Sequence, residues 1–168
     1  MTRVLVAYAT KMGATKEIAY AIGDRLTERG CEATVRPAST VTSLDGYDAV
    51  VLGSAVYAGR WRATAVKFVR RHTERLTGLP VWLFESGWLG KRPSTLSATP
   101  GGRRRARRVG SAPPTVFGGR LDPDLATGFF DRALAKRMAG DARDWKEIAA
   151  WTDDVAESLT TTHGGDQR

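Results

Sequence analysis

Val4-Leu5-Val6-Ala7-Tyr8-Ala9-Thr10-Lys11-Met12-Gly13-Ala14-Thr15 joins an apolar run to the start of a helical pattern. Its first half is an unbroken apolar run, as expected of a strand buried on both faces of a sheet. A helical pattern starts directly after it, so Thr10 to Thr15 is a strand-to-helix turn. The turn carries what a phosphate needs: two Thr hydroxyls, a Lys, and Gly13, which lets backbone N–H groups face a ligand. A helix N-terminus adds partial positive charge and unpaired N–H donors at the same place. A capped turn without a ligand has the same composition, so the hexapeptide by itself leaves both readings open.

Outward from this turn, Ala14 to Arg29 places Ile18, Ala19, Ile22 and Leu26 on one helical face and stops at Gly30, a C′ glycine. Cys31 to Pro37 reads as a shorter strand near a sheet edge, and Ser39 to Gly46 as a polar connection. Tyr47 to Ser54 is a second strand of the doubly buried kind, and Ala55-Val56-Tyr57-Ala58-Gly59-Arg60-Trp61 leaves its carboxyl end. A helix is predicted from Arg62 to Leu76 with Ala65, Val69 and Leu76 on its stripe; His72 shares that stripe and reads as a packing residue. Pro80 to Phe84 is a strand, followed by the loop Glu85-Ser86-Gly87-Trp88-Leu89-Gly90. Lys91 to Ala112 has no persuasive period and reads as a loop with at most one helical piece, and Pro114 to Gly119 is the last strand. Asp122-Pro123-Asp124 opens a helix through Leu125, Phe130, Leu134 and Met138 that ends at Gly140. Asp144 and Glu147 form a capping-box-like pair before a final helix with the stripe Ile148, Trp151, Val155 and Leu159.

A chain of 168 residues is long enough for one well-filled core and short for two. The expected organisation is a single domain over 1–160 with a flexible, frayed tail over 161–168. No apolar run approaches a membrane span, and Met1-Thr2-Arg3 leads into a strand rather than a signal peptide, so a cytoplasmic location is expected. The single Cys31 can form neither an internal disulfide nor a metal cluster and is expected to pack; no metal site is expected. The formal charge of +8 is the compositional oddity. Arg103, Arg104, Arg105, Arg107 and Arg108 lie within six residues between glycines. A solvated, mobile loop is the plain reading of that block; the functional ones are contact with an anionic membrane surface at its inner face, or with a carboxylate-bearing substrate. Neither a zinc-finger spacing nor an aromatic-basic RNA motif is present, so nucleic acid is not an expected partner.

Five strands alternating with helices point to an α/β fold, an open parallel sheet covered on both faces with right-handed crossovers. Ligands of such sheets sit outside the carboxyl ends of the strands, where strand order reverses. Three loops with suitable residues leave those ends: Thr10 to Thr15, Ser54 to Trp61, and Glu85 to Gly90. The first offers an anion cradle and the other two flat aromatic side chains, which together suit flavin mononucleotide (FMN), a phosphate at one end and a planar ring at the other. Competing nucleotide signals are missing: there is no G-x-x-x-x-G-K-[ST], no G-x-G-x-x-G after the first strand, and no acidic pair there of the response-regulator kind.

Through Thr10-Lys11-Met12-Gly13-Ala14-Thr15 the chain resembles the flavodoxin-like superfamily. It is more closely similar to the quinone-dependent protoporphyrinogen oxidase branch through Val50-Val51-Leu52-Gly53, Tyr57 to Trp61, Phe68-Val69-Arg70-Arg71-His72, Lys91-Arg92-Pro93 and Asp144-Trp145. The resemblance implies a three-layer fold with a five-stranded parallel sheet in order 2-1-3-4-5 and helices on both faces. It implies FMN held by Thr10, Lys11, Gly13 and Thr15 at the phosphate, with Met12 and Ala14 giving backbone donors. Ser54, Ala55, Val56, Tyr57, Gly59 and Trp61 on one side, and Ser86, Gly87 and Trp88 on the other, would border the ring. Met12 stands where a polar or acidic residue is common, and Glu85 to Gly90 differs from the oxidase's corresponding loop.

The resulting expectation is an FMN-dependent oxidoreductase that passes electrons from a reduced organic substrate of protoporphyrinogen type to a quinone or another acceptor, with no essential side-chain base. The Arg block would draw the substrate's propionates. A flavodoxin-type electron carrier or an FMN-dependent quinone reductase, working with a redox protein partner, is the alternative. Shuttle flavodoxins are generally acidic, so the charge of +8 weighs against a plain shuttle. A flavin-free binding or scaffold domain is the third reading.

Overall fold

A computed structural model describes residues 1–87, 97–121, 140–141 and 143–163. Five parallel strands form its centre: β1 (Arg3–Ala9), β2 (Glu32–Pro37), β3 (Ala49–Tyr57), β5 (Val81–Gly87) and β6 (Thr115–Gly118). They run side by side as β2-β1-β3-β5-β6, the flavodoxin-like order expected from the sequence. A two-residue strand, β4 (Arg60–Trp61), folds back antiparallel on the end of β3. A second ladder joins β7 (Arg120–Leu121) to β8 (Gly140–Asp141), so the chain returns to one place after residues 122–139.

Helices α1 (Ala14–Glu28) and α4 (Trp145–His163) cover one face; α2 (Ala63–Thr77) and α3 (Pro100–Val109) cover the other. The strands divide their side chains by the two-residue period of the pleat. Val4, Val6, Val51, Phe84 and Phe117 meet Ile18, Ile22, Leu26 and the α4 stripe of Ile148, Val155 and Leu159. Leu5, Ala7, Val50, Leu52 and Leu83 meet Phe68, Val69 and Leu76 of α2 and Ala106 and Val109 of α3. Each fully buried Leu, Ile or Phe contributes about 1.5–3 kcal/mol of burial, so the two apolar layers stabilise the hydrogen-bonded sheet from both faces. Gly53 sets the sheet's thickness: a Cβ there would lie 1.9 Å from the Phe84 ring.

Several sequence expectations are corrected. The Arg block is not a loop but helix α3, with Thr99 as N-cap accepting from Gly102 N, Pro100 in the first turn and Gly110 in the left-handed cap position. β3 continues to Tyr57 and β5 to Gly87, so Ala55-Val56-Tyr57 and Glu85-Ser86-Gly87 are strand rather than loop. α4 continues to His163, so 161–163 are helical rather than part of a frayed tail, with Asp144 Oδ1 accepting from the Lys146 and Glu147 N–H groups at its start. His72 is buried against Phe68 with its Nε2 3.3 Å from the Val41 carbonyl, a packing position. The helix expected from Asp122 to Gly140, Trp88 to Gly90, Lys91-Arg92-Pro93 and the tail beyond His163 lie, apart from Gly140, outside the described residues.

Candidate functional site

β1 ends at Ala9 and α1 begins at Ala14, and the four residues between them form the turn that opens the site. Gly13 adopts φ +85°, a left-handed conformation, and no atom lies within 4 Å of where its Cβ would be. Conformation rather than space therefore calls for glycine here. The Thr10 hydroxyl accepts from Gly13 N at 2.9 Å and ties the turn across its mouth. Gly13 caps α1 without a side-chain hydrogen bond, leaving the first-turn N–H groups to whatever anion enters.

The second wall is a tight hairpin. β3 pairs Val56 with Trp61 and Tyr57 with Arg60, leaving only Ala58 and Gly59 in the loop. Both have positive φ, 49° and 72°, the signature of a type I′ turn. Tyr57 is thereby aimed at the first turn, and Lys11 Nζ lies 3.5 Å over its ring. The third wall is the end of β5, Ser86 and Gly87, backed by Gly119, whose N–H donates to the Gly87 carbonyl at 2.7 Å. A Cβ on Gly119 would come 2.9 Å from the Gly87 carbonyl carbon, so the two backbones touch.

Between these walls lies a cleft, open to solvent, lined by Thr10, Lys11, Met12, Ala14, Thr15, Ala55, Val56, Tyr57, Ser86 and Gly87 of the residues expected from sequence. Gly13 shapes it from the turn without lining it. Ser54 is buried behind it, donating to the Ala55 carbonyl and accepting from Arg62 N, and Gly59 is at the hairpin tip. Trp61 does not line the cleft; its ring is buried among the α2 and α3 side chains. Trp88 lies outside the described residues. The Arg block is elsewhere, on α3.

Two lining residues escaped sequence reasoning, Gly119 and Arg120. The Gly118-Gly119 pair was a usable signal for close backbone approach. Arg120 had none, since nothing local says that a short second ladder starts there. Its Nη2 is 3.6 Å from Glu17, and its Nε is buried without a hydrogen-bond partner among the described residues. A buried donor of this kind beside the cleft favours a ligand rich in acceptors.

An uncapped helix start with Thr hydroxyls, Lys11 stacked on Tyr57, and a bare backbone edge at Gly87 and Gly119 make a cleft suited to an anionic, ring-bearing ligand at the switch point of a doubly wound sheet. Residues 5–146 match the flavodoxin-domain family, and the chain belongs to it. Protoporphyrinogen IX dehydrogenase [quinone] of Escherichia coli K12 is 27% identical over 167 residues, covering 90% of this chain and 88% of that protein. Oxidised flavodoxin 2 of Bacillus cereus superposes with a TM-score of 0.65 at 20% identity, covering 94% of this chain and 99% of that one. A mutant flavodoxin of Pseudomonas aeruginosa gives 0.61 at 15% identity, covering 95% and 99%. Membership in the family implies FMN as cofactor. The residues present fit it: the open α1 terminus beside Thr10 and Thr15 suits the phosphate, and Tyr57 with the bare Ser86-Gly87 edge suits the ring.

Proposed function

We propose that the chain is an FMN-dependent oxidoreductase that takes electrons from a reduced organic substrate of protoporphyrinogen type and passes them to a quinone or another acceptor. The supporting observation is the 27% identity to protoporphyrinogen IX dehydrogenase [quinone] over 88% of that protein's length. Bound FMN supplies the redox chemistry. In this reading Thr10, Lys11, Gly13 and Thr15 hold the phosphate, with Met12 and Ala14 backbone donors, and Tyr57, Ser86 and Gly87 border the ring and limit access to it. In the same reading the protein's part is binding, orientation and exclusion of water. Anaerobic mixing of the FMN-loaded protein with protoporphyrinogen should bleach the flavin absorbance, and a menaquinone analogue should restore it. Reduction only through a reductase partner would replace this reading by an electron carrier, the alternative supported by the match to full-length flavodoxins.

The proposed partner surface is the α2/α3 face. These helices hold nine basic residues against Glu74 alone, an excess equal to the formal charge of the whole chain, +8. Arg70, Arg104, Arg105 and Arg108 surround a groove floored by Val66 and Val69. We read this face as the contact with an anionic bilayer, where a quinone acceptor would be met. No described helix is long and apolar enough to cross a membrane, so the contact is peripheral in this reading.

A further inference from the structure

Glu85 takes no part in the chemistry above, yet it is the most deeply buried acid among the described residues, 1% exposed. A carboxylate withdrawn from water needs its acceptor capacity met. Trp61 Nε1 donates to Oε1 at 2.7 Å, Thr99 Oγ1 to the same oxygen at 2.6 Å, and Thr99 N to Oε2 at 2.9 Å. The Thr99 hydroxyl accepts from Gly102 N at 3.0 Å, which directs its own proton to Glu85. Gly102 is glycine for the same reason: a Cβ there would fall 2.0 Å from Glu85 Oε1. On the outer side the Arg105 guanidinium lies 5.4 Å from the Trp61 ring centroid.

Trp61 belongs to the hairpin that builds the cleft's second wall, Thr99 caps α3, and Glu85 itself directly precedes Ser86 and Gly87 of the third wall. Trp61 is the cross-strand partner of Val56, beside the Tyr57–Arg60 pair, and Val56 and Tyr57 line the cleft. Thr99 holds the start of α3. For stability alone, apolar side chains of similar volume would serve as well as a buried acid with its donors. What the acid adds is direction: its oxygens accept from Trp61 and Thr99 in one geometry only.

We propose that Glu85 is a positioning residue of the cofactor cleft, fixing the Tyr57 hairpin through Trp61 and the start of α3 through Thr99. The role at the ring rests on the FMN reading; the clamp itself does not. Glu85→Gln keeps the shape but sets an amide NH2 against donors. Hydrogen exchange of the flavin-free protein should then speed up about tenfold or more at residues 57–62 and 97–103, with β1 unchanged. FMN should dissociate faster by a similar factor.

Trp61→Phe keeps a ring and removes the N–H; it should loosen 57–62 and leave 97–103 protected. Thr99→Val should do the reverse. These milder variants carry the same test if Glu85→Gln does not fold. Equal acceleration in β1 and the hairpin, an unchanged hairpin, or unaltered FMN dissociation from a loosened hairpin would each overturn the proposal. A wild-type protein that binds no FMN would overturn the FMN reading and with it the role at the ring, while the exchange pattern would still decide the clamp.

Discussion

The two helical layers carry the same side chain, arginine, and treat it in opposite ways. On the α1/α4 side, Asp153 of α4 accepts from Arg25 Nε and Nη2 at 2.7 and 2.8 Å and from Arg29 Nε at 2.8 Å, and Arg25 also meets Glu28. Nearby, Arg143 is held by Asp141 and Glu17. On the α2/α3 side, Arg70, Arg71, Arg104, Arg107 and Arg108 are exposed and make no ion pair among the described residues. Arg105 is drawn partly inward over Trp61, and burial, then the neighbouring Arg104, holds its pKa below the ordinary value. One layer uses arginine to lock helices together; the other accumulates arginines that form no ion pair among the described residues. In the proposed reading, that difference separates a structural face from one that meets an external anion.

The largest test of this contrast is on vesicles. Each basic residue at an anionic surface contributes about 1 kcal/mol, so replacing Arg104, Arg107 and Arg108 by Gln should weaken co-sedimentation with phosphatidylserine-containing vesicles by about a hundredfold. Replacing Arg25 and Arg29 by Gln should leave it nearly unchanged. Equal losses from the two sets would reduce the contrast to net charge.

Next in size is a pair of glycines, one in each layer. Gly102→Ala drives a methyl against a buried carboxylate and should cost about 1–3 kcal/mol in denaturant unfolding. Gly23→Ala meets only the Val35 Cγ2 methyl, 2.4 Å from the ideal Cβ, on a half-buried edge strand. The better helix propensity of Ala offsets about 1 kcal/mol there, so Gly23→Ala should be markedly milder. Similar losses would mean that the Glu85 junction is no tighter than an ordinary helix–sheet contact.

The smallest effect belongs to the locked layer. Hydrogen bonds from Arg25, then Arg29, hold the Asp153 carboxyl well below the usual carboxylate range. A depressed folded-state pKa stabilises above the unfolded value, about 3.9, and the gain is lost as pH falls through the folded value. Asp153→Asn should therefore lower Tm slightly at neutral pH, with the gap from wild type closing as the pH falls below about 4. The same gap should shrink in about 1 M salt, because the pairs are partly exposed.

The strand-to-helix turn and the apolar stripes of α1, α2 and α4 were legible because each is written in local periodicity and capping, whereas the sheet order came only from the family resemblance, since strand pairing is not local. α3 was not, and its own residues explain why. Five arginines hide the short stripe of Ala106 and Val109, and Gly101-Gly102 reads as a breaker. Gly102 is there to admit Glu85, a partner far off in the sequence. Thr99-Pro100 was a usable start signal, a cap followed by Pro. Ala58 concealed the hairpin in the same way, since a type I′ turn is usually announced by Asn-Gly or Gly-Gly. Trp61 was expected at the ring because an aromatic near a strand's carboxyl end faces either way in one dimension. Its indole N–H, bonded to Glu85, turns it into the core.

The most direct measurement is titration of the flavin-free protein with FMN, followed by flavin fluorescence, for the wild type and for Thr10→Glu. The half-exposed Thr10 ties the mouth of the first turn through its bond to Gly13 N, and a carboxylate there would repel a phosphate. Saturable one-to-one quenching in the wild type, and its loss in a Thr10→Glu protein whose thermal unfolding is unchanged, is the predicted result. Unaltered affinity in that variant, or no quenching in the wild type, would contradict the account.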